Sequence, residues 1–110
     1  MTEISLTTLT DELRAEAVAE GALRASRVLK GDGRLRQVAI VLLPGGELPE
    51  HGNPGEARLI VMSGSVRFIE AATEVTHVLT AGDYFVVPDA LHSVEADAES
   101  LLLLSFAPVQ

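Results

Sequence analysis

Residues 81–96 read "AGDYFVVPDALHSVEA", and this stretch decides what kind of backbone surrounds it. "AGD" is a turn signal, and Gly82 supplies a position where positive φ is cheap. "YFVV" is aromatic and β-branched, the composition of a strand. "PDA" then interrupts. Pro88 has no N–H and belongs at a strand end rather than in mid-sheet. "HSVEA" starts a second short strand, which stops at "DAES".

The same alternation of short β-runs and turn signals extends outward on both sides. Toward the C-terminus lies "LLLLSF". Toward the N-terminus, "VTHVLT" precedes "AGD", and "VRFIE" precedes "AATE". "ARLIVM" meets "SGS", where Gly64 makes a tight turn between two strands. "ELPEH" is followed by "GNPG", "RLRQVAIVLL" by "PGG", and "ASRVLK" by the hairpin signal "GDG". About eight short strands at regular spacing predict an antiparallel sandwich or small barrel such as a jelly roll. "VAIVLL", "RLIVM", "YFVV" and "LLLLSF" are apolar on both faces, so the outside of the barrel needs cover as well. One short helix is too small to shield four strands, which predicts a homodimer.

Ahead of the β-runs, "LTDELRAEAVAE" is rich in good helix formers. Leu6, Leu9, Leu13 and Ala17 trace one apolar stripe at helical spacing. Thr8 and Asp11 have the spacing of a capping box, and Gly21 is the expected C-cap. The organisation expected is a helical segment over residues 1–24 and a β-barrel domain over residues 25–110, with no internal repeat.

The chain has 110 residues, the length of one domain able to bury a core without staples. It has no cysteine, which removes disulfides, thiolate metal sites and a cysteine nucleophile, and which fits a cytoplasmic protein. The opening "MTEISLTTLTDE" has neither the basic nor the apolar region of a signal peptide. No apolar run reaches the ~18 residues of a membrane span. Eight basic against sixteen acidic residues leave a net charge of −8, which repels phosphate backbones and argues against nucleic-acid binding. Lys30 is the one lysine. Arg27, Arg34, Arg36, Arg58 and Arg67 fall in strand-like stretches and read as solvent-face residues.

Taken together, these motifs resemble the RmlC-like cupin superfamily, specifically its small single-domain bacterial members. The resemblance spans residues 34–106. The first cupin motif has the form G-x5-H-x-H-x3,4-E-x6-G. Gly45 opens it, His51 takes the first histidine slot and Gly64 closes it. The second has the form G-x5-P-x-G-x2-H-x3-N. Gly82 opens it, Pro88 fits, and His92 stands one residue before the histidine slot. The resemblance implies a mainly β fold, an antiparallel double-stranded β-helix (the jelly-roll or cupin barrel), here with a short N-terminal helix. It also implies that His51 and His92 lie on neighbouring strands facing one pocket.

Metal-binding cupins use three histidines and a glutamate, and this chain departs from that set. Asn53 replaces the second histidine, and Ala57 stands in the glutamate slot. Glu56 is adjacent, but neighbouring strand residues face opposite ways, so a bulge would be needed to turn it inward. Ala90 and Ala96 occupy the inner glycine and asparagine slots of the second motif. Two imidazoles fall short of the three or four ligands of a stable transition-metal site. The expectation is a pocket of His51, Asn53, His92 and Gln37 that binds a small molecule and holds no metal tightly. The alternative is a divalent metal (Fe, Mn, Ni or Zn) on His51, His92 and Glu56 in a dioxygenase- or isomerase-like enzyme. A further alternative is a structural module that uses its apolar faces for assembly.

Gln37 enters because it shares a face with Ala39 and Val41, which would leave Arg36 outside. His77 shares parity with Val75 and Leu79, compatible with an inward direction, and reads as a satisfied or partly exposed histidine. Phe68 and Phe85 read as core. Ser93 directly follows His92 and so faces away from it, which argues against Ser-His chemistry. Neither "GDG" nor "PGGELPEHGNPG" opens a helix after a strand, so phosphate cradling is not supported.

Overall fold

The structure, a computed structural model, describes residues 3–52 and 55–108. One helix, α1 (Leu6–Glu20), is followed by β1 (Arg24–Lys30), β2 (Arg36–Leu42), β3 (Glu47–His51), β4 (Gly55–Ser63), β5 (Ser65–Glu70), β6 (Thr76–Thr80), β7 (Tyr84–Val86), β8 (His92–Ala96) and β9 (Ser100–Pro108). The strands form a five-stranded sheet, order β1-β2-β9-β4-β7, and a four-stranded sheet, order β3-β8-β5-β6. Every pairing is antiparallel. This is the jelly-roll barrel that the short runs and turn signals predict.

Gly64 stands at the corner where the chain leaves one sheet for the other. Its φ is +89°, and a Cβ there would come within 2.2 Å of the Ser100 hydroxyl and 2.3 Å of the Glu99 carbonyl. Glycine is therefore required twice, for backbone angle and for space.

Between the sheets lies the main core. Ile40, Leu42, Leu59, Val61, Val66, Phe68, Val94 and Leu102 are buried there. A second layer forms on the outer face of the five-stranded sheet, where Leu9 and Leu13 of α1 pack on Ala39, Val41 and Leu101. Both faces of β2 are thus covered, which is why four successive residues, Ala39 to Leu42, are all apolar. The helix begins three residues ahead of the expected cap: Ser5 is the N-cap, and its hydroxyl accepts from the Thr8 N–H at 3.2 Å. Gly21 ends the helix in the left-handed region at φ 66°, as expected.

Parity on β2 corrects the placement of Gln37. Its face, shared with Ala39 and Val41, is the helix-covered outer face, and its amide donates to the Ser105 hydroxyl at 3.1 Å. The interior face carries Val38, Ile40 and Leu42. Gln37 therefore does not line the barrel. Because the strand is apolar on both sides, alternation alone identifies two faces without saying which is inner.

α1 shields only part of the five-stranded sheet. Met62, Tyr84 and Val86, at its β4–β7 end, remain exposed. The outer face of the four-stranded sheet is different in kind: Arg67 pairs there with Glu95 and Asp97, each at 3.0 Å. Among the described residues, no helix is long and apolar enough to cross a membrane.

Candidate functional site

β3 and β8 pair with Leu48 opposite Val94 and His51 opposite His92. Two residues on β3, Pro49 and Glu50, thus stand against one on β8, Ser93, a one-residue bulge. Strict alternation from the inward Leu48 would turn His51 to the outer face. The extra residue restores the inward direction and sets His51 beside His92, with ring centroids 4.4 Å apart and edge-on. Pro49 suits this place because its missing N–H costs least on an edge strand at a bulge.

Each imidazole is oriented by a backbone carbonyl two residues back in the chain. His51 Nδ1–H donates to the Pro49 carbonyl at 2.7 Å, and His92 Nδ1–H donates to the Ala90 carbonyl at 2.8 Å. A carbonyl only accepts, so the proton sits on Nδ1 and the neutral ring keeps its lone pair on Nε2. Two neighbouring rings thus each keep one acceptor nitrogen. His92 is 4% exposed and stacks on Phe68 at 4.4 Å. Burial holds its pKa below the usual 6.5, and the nearby His51 adds to this, against opposing effects of the Ala90 carbonyl and Glu70.

A second pair lies on the next two strands. Glu70 of β5 stands opposite His92 in the register and accepts from His77 Nε2–H at 2.8 Å. His77 of β6 faces inward beside Leu79 and lies 5.0 Å from the Phe85 ring. The four-stranded sheet therefore contributes one titratable residue from each strand to one end of the barrel: His51, His92, Glu70 and His77. Phe68 and Phe85 fill the barrel beneath them, 4.7 Å apart. The site is a rim over a packed interior. Surface hollows of about 250 to 420 Å3 lie elsewhere among the described residues, one of them between α1 and β1.

His51 and His92 come together as the motif spacing implies. Asn53 lies outside the described residues. Glu56 does not join the histidines: it shares the outer face of β4 with Arg58, to which it pairs at 3.3 Å, while Ala57 takes the inward position. The bulge that would have turned Glu56 inward occurs instead in β3, where it serves His51. The described residues contain no group of three or more His, Cys, Asp or Glu side chains placed to hold a metal. Two neutral nitrogens do not make a metal site by themselves. Glu70 was absent from the sequence-based set. Its signal is parity: it alternates with Val66 and Phe68, so a carboxylate occupies an apolar-face position.

No protein-family model matches the chain, and no curated protein matches it. Among solved structures, an RmlC-like cupin from Shewanella frigidimarina is 26% identical with a TM-score of 0.68, covering 80% of this chain and 78% of its own. An RmlC-like cupin from Desulfovibrio desulfuricans is 23% identical with a TM-score of 0.69, covering 77% and 82%. A conserved protein of unknown function from Streptococcus pyogenes is 24% identical with a TM-score of 0.71, covering 79% and 75%. Two antiparallel sheets with these neighbours show that the barrel has the cupin fold.

Proposed function

We propose that this cupin barrel binds a small molecule at the rim where His51 meets His92, through the imidazole nitrogens rather than through a tightly held metal. One observation carries this: both rings spend Nδ1–H on a backbone carbonyl two residues back and stand 4.4 Å apart, which leaves an Nε2 acceptor on each of two neighbouring rings. Such a pair binds hydrogen-bond donors without further assembly. The test is a thermal-shift screen of a metabolite library against the wild type and the double variant His51→Ala/His92→Ala. A compound that stabilises the first and not the second is expected. If every stabilising compound acted equally on both, the proposal would fail.

A second reading, a metal-dependent enzyme, is favoured by the same hydrogen bonds. Metal-ligating histidines commonly give their other N–H to a carbonyl. That reading needs ligands beyond the two histidines. Elemental analysis of untagged protein before and after mild chelation separates the two. Near-stoichiometric Fe, Mn, Ni or Zn that vanishes in the double variant would put the enzyme first.

The assembly we infer is a homodimer. The uncovered apolar end of the five-stranded sheet, with Met62, Tyr84 and Val86, supports it. Sedimentation at micromolar concentration should show a dimer, and a clean monomer would overturn that part.

A further inference from the structure

We propose that Glu70 and His77 complete the rim site and that its ligand is a small organic cation, a protonated amine. This rests on the two-histidine site above and extends it to the other two strands of the same sheet. The register places the groups in a row, with His51 opposite His92 and His92 opposite Glu70, while His77 stands opposite Phe68 and bonds back to Glu70. These side chains share the inward face. An ion pair serving only the surface would belong on the outer face, where Arg67 already meets Glu95 and Asp97.

An inventory of donors and acceptors selects the ligand chemistry. The His51 and His92 Nε2 atoms are acceptors, because each Nδ1 carries its proton to a carbonyl. An ionised Glu70 only accepts, and the Nε2–H of His77 is already directed to it. The hydrogen bonds that the described arginines and Lys30 donate all end on other residues, so Glu70 has an imidazole for company and no fixed cation. Phe68 is buried beneath the row, and half-buried Phe85 lies 5.0 Å from the His77 ring. An acceptor row with one carboxylate suits an ammonium group, which brings several N–H donors and a charge that the carboxylate attracts. A carboxylate ligand would instead meet Glu70 as a like charge. The net charge of −8 further draws cations to the surface.

The test uses n-butylammonium, with n-butanol and butyrate as neutral and anionic probes of equal chain length. Binding is read from the ring-proton resonances of the three histidines. Butylammonium should shift all three saturably, and Glu70→Gln should weaken its binding by about tenfold or more. Glu70→Asp, which keeps the charge, should retain part of the affinity and guards against a variant that merely misfolds. Stronger binding of butyrate or butanol would overturn the proposal. Shifts confined to His51 and His92, unchanged in Glu70→Gln, would overturn the extension and leave the two-histidine site standing. Silence of all three rings would overturn the cation assignment, while the library screen tests the two-histidine site separately.

Discussion

The two sheets of this barrel divide its labour. The five-stranded sheet is apolar on both sides where α1 roofs it: one face meets the other sheet, and on the opposite face Ala39, Val41 and Leu101 pack against the helix. The four-stranded sheet has a charged outer face and contributes to the barrel end a residue that can titrate from each of its strands. Stability is concentrated where neither face tolerates a polar group. The inward groups that can titrate are concentrated where the other face is solvated, one per strand.

The comparison breaks most readily at the helix layer. Leu13 is fully buried between α1 and the five-stranded sheet, and Leu13→Ala should cost about 2–5 kcal/mol in urea denaturation. A loss below about 1 kcal/mol would show that the helix contributes little to the cooperative unit. Next is the corner between the sheets. Gly64→Ala forces a Cβ to within 2.3 Å of a backbone carbonyl at positive φ, and should cost at least about 2 kcal/mol. An unchanged urea midpoint would contradict the close approach.

A smaller effect is expected on the four-stranded side. Burial lowers the His92 pKa in the folded state relative to the unfolded value near 6.5. Its contribution to stability is therefore complete above about pH 6.5 and is lost as pH falls through the folded-state value. Unfolding midpoints followed from roughly pH 7.5 to roughly pH 5 should decline, and His92→Phe should flatten that decline. If the variant declined as steeply as the wild type, His92 would not be the group responsible. Smallest of all, His51→Ala should change folding stability by under about 0.5 kcal/mol, because the ring is exposed. A loss of several kcal/mol would make His51 part of the frame instead.

Much of this was legible in the chain. The turn glycines and short β-runs predict the barrel, and the motif spacing brings His51 to His92. Gln37 was misplaced for a physical reason: β2 is buried on both sides, so its alternation has no polar phase to orient it. Glu70 could have been found by the opposite logic, since Val66 and Phe68 establish the inward phase of β5 and the carboxylate continues it. Ser5 and Thr8 are equally good caps by residue type, and the choice between them depends on where Leu6 begins to pack. The Glu70–His77 bond joins residues on paired strands and has no local spacing signature.

The bulge at Pro49 and Glu50 separates the address of the site from the strength of the shell. One additional residue on an edge strand decides whether an imidazole looks into the barrel or away from it, while no residue of that strand is itself buried in the apolar core. Insertion or removal of a single codon there would switch the rim between two compositions and leave the barrel folded. Lineages of such barrels can thus gain or lose a binding residue by changing phase, without exploring a less stable fold on the way.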